Sequence, residues 1–352
     1  MKPIKSNAGS LNRRSFLKAG TLGGTATALA AAVGLGHAPA NQGTPLLAEP
    51  SPTPTAEAEA QHHHGSDPSG SVGEIAPTAF DPSAFLEAFD QGVVTSENGR
   101  TVRTWKVLAL NKDIEVAPGV WFPAWTYNEQ VPGPTFRARA GDLVRFDFFN
   151  ATPHPHTIHF HGFHPPSMDG VSPMVEPGNT FLYEFEAQPF GLHLYHCHVM
   201  PLKRHIHKGL YGAFLIDPPE ARPPAREMVM VMNAFDTNLD GENEVYAVNT
   251  VAFHYMKHPI RVRVGEPLRI YLVNLTEFDL VNSFHLHASM FRLYRTGTQL
   301  EHFEFTDTVT MGQGERHVLE FSLDHPGQYM FHAHQSEFAE LGWMGLFEAV
   351  EA

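Results

Sequence analysis

Two stretches of this 352-residue chain repeat one another in the same order, and the repeat constrains the fold more than any other feature. The run RARAGDLVR, which begins at Arg137, resembles RVRVGEPLR, which begins at Arg261. An H-x-H pair at His159 recurs at His285, and another at His196 recurs at His332. The offset between copies drifts only from 124 (Gly141 to Gly265) to 136 residues (His196 to His332). Such a pattern indicates two copies of one domain.

Each copy reads as short β-strands joined by turns. Apolar and polar residues alternate at period two, as in Phe146-Asp147-Phe148 and Val262-Arg263-Val264, and Pro-Gly turns separate the runs. The sequence therefore predicts an all-β chain of two tandem Greek-key β-sandwich or barrel domains, at residues 79–217 and 218–352. The proline-rich run 217–226 is predicted to form a stiff connection between them.

The first forty residues read as an export signal. Arg13 and Arg14 form a twin-arginine motif, a weakly apolar run follows, and Ala38-Pro39-Ala40 offers a cleavage site. A single membrane anchor is the alternative, but the apolar run is short for a span, so no stable anchor is expected. The predicted location is periplasmic or extracellular, and the twin-arginine route carries folded, cofactor-loaded proteins.

Residues 41–78 are rich in Pro, Ala, Ser, Thr and Gly and are predicted to be a disordered linker. The cluster His62–His64 within it either scavenges metal or is a solvated accident. Loss of the signal would remove five basic residues and no acidic one, which changes the formal net charge from −14 to −19. Such an acidic chain argues against a nucleic-acid partner.

The only cysteine, Cys197, lies between His196 and His198, and His205 follows eight residues later. An intrachain disulfide is excluded, so an exported protein needs another use for this thiol. Two histidines, one cysteine and a weak axial position form a blue-copper site, whereas the alternative is an inert buried cysteine.

With these motifs the chain resembles the two-domain multicopper oxidases, laccase-like proteins with nitrite-reductase-type architecture built from two cupredoxin domains. The resemblance covers about residues 100–352. It implies four coppers per chain: one type 1, one type 2 and two type 3. The implied ligands are His156, Cys197 and His205 for type 1, His159 and His285 for type 2, and His161, His196, His198, His287, His332 and His334 for type 3.

The second copy departs from this pattern at two positions. Asn282 stands where a type 1 histidine is expected, and Ala333 stands where the cysteine is expected. A methyl group cannot replace a thiolate ligand, so type 1 copper is predicted in the first domain only. Leu210 occupies the usual axial methionine position, and loss of that donor should raise the reduction potential.

The resemblance implies one-electron oxidation of phenols or aromatic amines, coupled to reduction of dioxygen to water. Oxidation of Cu(I) or Mn(II) is the alternative for the donor. A copper nitrite reductase, which has Asp where this chain has His159, is a weaker alternative, as is a copper store or electron carrier. Electrons are expected to enter near His205, where Lys203, Arg204 and His207 either bind an anionic or phenolic donor or form a solvated face.

Oxygen reduction consumes protons, and two carboxylates are candidates to supply them. Asp169 follows the first H-x-H pair, and Glu337 lies three residues past His334; each has the alternative of being a turn or surface acid. His154 is interpreted as a loop histidine because its spacing to His159 is wrong for a ligand.

Each copy supplies four cluster histidines, so neither closes a trinuclear cluster alone. The family resemblance implies that neighbouring chains complete the cluster in a homotrimer, since a contact repeated around a threefold axis closes a ring. The residues alone leave closure within one chain open.

Overall fold

The computed structural model of the protein describes residues 80–351. The predicted export signal, the predicted linker and the His62–His64 cluster lie outside these residues. Within residues 80–351, the helices are all too short or too polar to traverse a lipid bilayer.

The first domain is built from two facing β-sheets. Their strands are β1 (Phe89–Asp90), β2 (Val93–Glu97), β3 (Arg100–Ala117), β4 (Val120–Tyr127), β5 (Thr135–Arg139), β6 (Leu143–Asn150), β7 (His159–Phe160), β8 (Thr180–Glu186), β9 (Gly191–His196) and β10 (Tyr211–Asp217). One sheet has the order β1-β5-β10-β9-β7, and the other has the order β2-β3-β6-β8 with β4 added to β3.

The second domain repeats this plan. Its strands are β11 (Arg226–Phe235), β12 (Val245–Val248), β13 (Ile260–Arg263), β14 (Leu268–Asn274), β15 (Val281–Leu286), β16 (Phe291–Arg295), β17 (Glu304–Thr306), β18 (Thr308–Gly312), β19 (Arg316–Phe321), β20 (Gly327–His332) and β21 (Met344–Val350). The sheet orders are β12-β11-β14-β19-β16-β17 and β13-β21-β20-β15-β18.

Short helices connect the strands at the ends of the sheets. They are α1 (Pro82–Leu86), α2 (Leu202–His207), α3 (His254–Lys257), α4 (Ser336–Glu340) and a 3-10 turn (Pro166–Met168). The helices α2 and α4 occupy equivalent places in the two domains, each between the strand that carries an H-x-H pair and the last strand of its domain.

The repeat seen in the sequence is a repeat in strand pairing. In the first domain β10 runs parallel to β5, and β6 runs parallel to β3. In the second domain β21 runs parallel to β13, and β14 runs parallel to β11. The two RxRxG runs end the equivalent strands β5 and β13, so the all-β prediction with a duplicated domain is confirmed.

Three apolar clusters hold this structure together. One lies between the sheets of the first domain and includes Phe146 and Cys197, and another lies inside the second domain around Phe284 and Phe331. A third joins the two domains and contains residues from both, such as Leu194 and Val231. The methionines 228, 230 and 232 of β11 are completely buried in the second core. The cluster that joins the two domains contains Leu194 of β9, so its burial helps to fix the strand whose end carries the candidate metal ligands.

Candidate metal centre

The thiol and two imidazoles predicted for type 1 copper converge in a buried pocket of the first domain. The Cys197 Sγ lies 3.7 Å from His156 Nδ1 and 3.2 Å from His205 Nδ1, and the two Nδ1 atoms are 3.1 Å apart. Cys197 and His156 have no exposed surface, and His205 is 4% exposed. Three soft or borderline donor atoms thus face one point, as a blue-copper site requires.

Backbone geometry brings these three residues together from distant parts of the chain. Cys197 follows β9, and His205 lies in α2, which turns back so that the Cys197 N–H donates to the Leu210 carbonyl at 3.0 Å. Gly209 permits this return with φ of +112°, a conformation that side chains disfavour. His156 precedes β7 and is tied to Val175 by a pair of backbone hydrogen bonds of 3.1 Å.

Burial tunes the protonation of the pocket. Desolvation lowers the pKa of His156 to about 3 and that of His205 to about 4, so both imidazoles are neutral near pH 7. Desolvation also raises the pKa of the Cys197 thiol to about 11, against a weak N–H donation from Thr157 at 3.5 Å to the sulfur. A cation at this point would favour the thiolate, so metal binding and deprotonation are coupled.

Four further histidines of the first domain form a second cluster, which we call the first quartet: His159, His161, His196 and His198. His161 Nε2 and His196 Nε2 face one another at 3.3 Å. His159 pairs with His196 across β7 and β9, with ring centroids 5.1 Å apart. Desolvation lowers the pKa of His161 to about 2 and that of His196 to about 4, which leaves their lone pairs available.

The rings of the first quartet are oriented by hydrogen bonds at their Nδ1 atoms. His196 Nδ1 donates to the carbonyl of Cys197 at 2.9 Å, and His159 Nδ1 donates to the carbonyl of Asp169 at 2.7 Å. Such bonds fix the tautomer and leave Nε2 for a metal. We call the buried pocket of His156, Cys197 and His205 the thiol pocket. Because His196 and Cys197 are adjacent in the chain, a peptide bond joins this pocket to the first quartet.

The predicted acid Asp169 lies behind a quartet ring rather than inside the quartet. Its Oδ1 is 3.2 Å from His159 Nδ1 and 3.6 Å from His164 Nε2. The following residue, Gly170, packs against the backbone of Ile158, where a Cβ would come within 2.1 Å of the carbonyl oxygen. Only glycine allows this close approach, so it is needed to bring Asp169 to His159.

The second domain carries an equivalent cluster, the second quartet: His285, His287, His332 and His334. His287 Nε2 and His332 Nε2 are 2.9 Å apart. His285 Nδ1 is held by the Asp307 carbonyl at 3.1 Å and Thr308 Oγ1 at 2.8 Å, and His332 Nδ1 donates to Ala333 at 2.6 Å. The Nε2 atoms of His287 and His332 therefore face one another, as those of His161 and His196 do in the first quartet.

The two quartets do not meet in one chain. Among residues 80–351, no ring of one quartet contacts a ring of the other, and the metal-binding groups form separately on each domain. His287 and His334 are exposed, whereas His196 is buried. Glu337, the second predicted acid, is exposed in the first turn of α4 and makes no hydrogen bond to a quartet ring within the described part of the chain.

Sequence comparisons identify the family of this arrangement. Two models, each described as multicopper oxidase, match residues 111–221 and 221–352. The chain belongs to the multicopper oxidase family. It is therefore a copper oxidoreductase, and its two β-sandwiches are cupredoxin domains.

Individual relatives support the family and leave the donor open. A solved multicopper oxidase is 51% identical, covers 77% of this chain and 98% of its own, and has a TM-score of 0.76. A blue copper oxidase from Nitrosomonas europaea is 28% identical over 70% of this chain and 86% of its own, with a TM-score of 0.64. A copper-containing nitrite reductase from Neisseria meningitidis is 29% identical over 64% of this chain, which spans 63% of that relative's length.

The side chains of this protein fit copper by donor type. One thiol with two imidazoles suits a blue-copper site, and imidazole-only quartets suit further copper ions. Leu210, at the position where the sequence pattern predicts an axial methionine, is completely buried in the same apolar cluster as Cys197 and has no lone pair to donate.

The surface expected around His205 differs from the sequence prediction in one residue. Lys203 and Arg204 are exposed, as expected, but His207 is buried. It lies between the rings of Phe122 and Phe278, and its Nε2 accepts the Asp236 N–H at 3.0 Å. His207 therefore belongs to neither a donor site nor a solvated face, because α2 turns it toward the domain interface.

Two residues near the site carry no sequence motif. Trp125 of β4 contacts His156, His205 and the exposed loop residue His154, with ring centroids 4.9–5.2 Å apart. His164 donates from Nε2 to the Phe160 carbonyl at 2.7 Å beside Asp169. Only His164 has a signal in the sequence, its spacing of three residues from His161. Trp125 could be found only from the folded structure.

Proposed function

We propose that this oxidase takes single electrons from phenolic or aromatic-amine donors and reduces dioxygen to water, as laccases do. The observation that carries the proposal is the adjacency of two sites. Cys197, in the thiol pocket, is bonded on both sides to quartet members, His196 and His198. A single-electron site and a multi-electron site are thereby joined through a few covalent bonds.

We assign each group of side chains a role in that reaction. His156, Cys197 and His205 would hold type 1 copper, His159 and His285 would hold type 2 copper, and the other six quartet histidines would hold the type 3 pair. When bound, four coppers per chain supply storage and transfer of the four electrons that reduction of one dioxygen needs. The His159 and His196 rings are oriented through Nδ1 and would present Nε2, and the apolar core around Cys197 excludes water from the sulfur.

Donor and acceptor are tested together by measuring oxygen uptake with a panel of phenols, aromatic amines, Cu(I) and Mn(II). The expected result is oxygen consumption with the organic donors, four electrons used per dioxygen, and no peroxide released. Preference for a metal ion would replace the phenolic donor while keeping the oxidase.

The similarity to a copper-containing nitrite reductase makes nitrite the second candidate acceptor. Four histidines per domain exceed what a single additional copper can use, which favours dioxygen. Nitric oxide formation from nitrite at a rate equal to oxygen uptake would establish the reductase instead.

We further propose a homotrimer in which the first quartet of one chain meets the second quartet of the next. The second quartet lies at the surface of its domain, with His287 and His334 exposed, and the first quartet is partly buried. Each supplies four of the eight cluster histidines, so each is half of a site. A heterologous contact repeated three times closes the ring and leaves no half-site open.

Mixing two inactive variants tests this assembly. Chains with His161→Ala and chains with His287→Ala each lack one half-site, but a mixed ring contains an interface in which both halves are intact. Recovery of activity after subunit exchange is expected. If each cluster closed within one chain, every chain in the mixture would be defective, and no recovery would occur even with verified exchange.

For proton supply we propose Asp169, with Glu337 as the alternative. The Asp169 carboxylate lies 3.2 Å from His159 Nδ1, so it would both orient that ring and deliver protons toward the cluster. Asp169→Asn should slow oxygen reduction but spare reduction of the type 1 site by the donor, whereas Glu337→Gln should change neither. We also propose export by the twin-arginine route to the periplasm or beyond.

A further inference from the structure

Trp125 separates the thiol pocket from the surface. Its ring packs edge-on against both pocket histidines, with centroids 5.2 Å from His156 and 4.9 Å from His205. Trp125 is only 6% exposed because Arg204 and His154 cover it. The Arg204 guanidinium carbon lies 5.2 Å from the ring centroid, and the His154 ring lies 5.2 Å away.

The cover that Arg204 and His154 form over Trp125 carries one positive charge, that of Arg204. Arg204 is exposed, and no carboxylate of the described residues lies within ion-pair distance of its guanidinium, which is held on the Trp125 ring instead. Two other exposed arginines, Arg261 and Arg295, each pair with a glutamate, whereas Arg292 lies on the Phe303 ring as Arg204 does on Trp125. An arginine held on an aromatic face keeps its hydrogen-bond donors free for an anion.

Nearby charges on the same helix are also positive. Lys203 is exposed one residue before Arg204, and its ammonium rests 4.0 Å above the Phe278 ring. The acids closest to this region act on other groups: Asp113 and Asp236 interact with Lys208, and Glu277 interacts with Lys203. Arg204 is therefore the cation that remains available over Trp125.

Two exposed side chains of β4, Trp121 and Pro123, form an apolar surface that we call the shelf. Trp121 and Pro123 alternate with buried residues of β4, so they lie on the same face of the strand as Trp125. Both are exposed, and Trp121 retains 52% of its surface. At about 3.3 Å per residue, Pro123 and Trp121 lie about 7 and 13 Å from Trp125 along this face, so a flat aromatic molecule with its carboxylate on Arg204 would lie over Pro123 and extend toward Trp121.

We propose that this surface, defined by Arg204, His154, Trp125 and Trp121, binds a phenol that carries a carboxylate, and that Trp125 conducts its electron to the two pocket histidines. The carboxylate would rest on Arg204 and the ring on the shelf. This inference rests on the proposed oxidase function and specifies its donor.

The chemistry balances with dioxygen as the oxidant. Each phenol loses one electron and its hydroxyl proton and becomes a phenoxyl radical, and the proton passes to solvent. Four phenols and one dioxygen give four phenoxyl radicals and two waters, with four protons taken up where oxygen is reduced.

A matched pair of donors isolates the charge. We would compare 4-hydroxy-3-methoxybenzoate with its methyl ester, using copper-loaded wild type, Arg204→Gln and the control Arg261→Gln, whose side chain is 72% exposed elsewhere. Arg204→Gln should lower kcat/KM for the acid by about two- to fivefold through KM, as expected for an exposed charge contact, and leave the ester unchanged. The visible band of the thiolate site should be the same in all three proteins.

Binding to the reduced, copper-loaded protein under nitrogen, measured by calorimetry, gives a readout without turnover. Wild type and Arg261→Gln should bind the acid more tightly than the ester, and Arg204→Gln should lose that difference. Trp125→Phe should slow reduction of the blue site by both donors to a greater degree than it weakens binding of the acid, because the phenyl ring keeps an aromatic face under Arg204. Equal affinity for acid and ester in wild type, or an equal effect of Arg204→Gln on both, would overturn the proposal.

The two levels of the account fail separately. Oxygen uptake from the ester with no effect of charge would remove the Arg204 site and leave the oxidase in place. Charge-selective binding without oxygen uptake from any donor would do the reverse.

Discussion

The thiol pocket of the first domain and its counterpart in the second share a backbone hydrogen-bond pattern but differ in the side chains that fill them. In the first, Cys197 N–H donates to the Leu210 carbonyl at 3.0 Å; in the second, Ala333 N–H donates to the Trp343 carbonyl at 3.2 Å. The residue before each acceptor is a glycine with positive φ, +112° at 209 and +127° at 342. The backbone alone therefore does not distinguish a metal site.

The side chains of the counterpart fill the space. Ala333 replaces the thiol and Asn282 replaces His156. Phe338 replaces His205, because the Trp343 N–H donates to the Phe338 carbonyl at 2.9 Å just as the Leu210 N–H donates to the His205 carbonyl at 3.3 Å. Trp343 is completely buried, 5.9 Å from the rings of both Phe284 and Phe331. Phe338 stacks on Tyr246 at 4.1 Å.

The first pocket is lined by side chains that can bind a metal, whereas the equivalent space in the second domain is filled by Trp343 and Phe338, which we call the aromatic plug. Neutral imidazoles in the first pocket are costly to bury without a partner, and His156 Nε2 has none among the described residues. The plug avoids most of that cost but leaves the Trp343 indole N–H without a hydrogen-bond acceptor in the same part of the chain.

The largest effect is expected from the thiol itself. Cys197→Ser should abolish the intense visible band and reduce turnover to background, because the sulfur both colours the site and connects it to His196 and His198. Absorption spectra and oxygen uptake measure this. Ala333→Ser, the same change at the counterpart, should leave both unchanged; loss of colour there would mean that the second pocket holds a copper.

Removal of the plug should be the next largest effect. Trp343→Ala should cost about 3–5 kcal/mol of unfolding free energy, the range for deletion of a large buried aromatic side chain. Urea unfolding followed by circular dichroism measures the loss. Trp121→Ala, at a 52% exposed position, should shift the midpoint little; equal losses for the two variants would contradict a packed plug.

Restoring two ligands to the counterpart should not restore a site. Asn282→His combined with Ala333→Cys leaves Phe338 and Trp343 in the space, so the blue band per chain should remain at the wild-type intensity. Overpacking should cost about 1–3 kcal/mol, measured by unfolding. A doubled band would show that ligand identity alone limits copper at this position.

The smallest effect is expected at the axial position. Leu210→Met conserves volume and supplies a thioether, so stability should change by less than about 1.5 kcal/mol while the potential of the blue site falls. Redox titration measures the shift. Trp343→Met is the matched change in the plug and should leave the potential constant; a potential shift from Trp343→Met alone would mean that the two pockets are coupled.

The sequence predicted the repeat, the all-β fold and the grouping of the histidines because these depend on local spacing. An H-x-H pair in an extended segment places both rings on one face, and the pairing of β7 with β9 sets His159 opposite His196. Cys197 and His205 are only eight residues apart, so a single short helix brings them together.

The plug and the cover could not be predicted, because they depend on contacts between distant segments. Trp125 lies about thirty residues before His156, and nothing local relates them. Phe338 was not recognised as the counterpart of His205 because α4 begins closer to Ala333 than α2 does to Cys197. His207 was placed on the surface because the direction of a six-residue helix is set by its packing.

Copper analysis combined with the visible spectrum tests the central claim most directly, that one pocket of the pair is a thiolate site and the other is a plug. Copper-loaded wild type should contain four coppers per chain and one blue site, and Cys197→Ser should contain three coppers and none of the blue band. Two blue sites per wild-type chain, or an intense blue band that survives in Cys197→Ser, would contradict it.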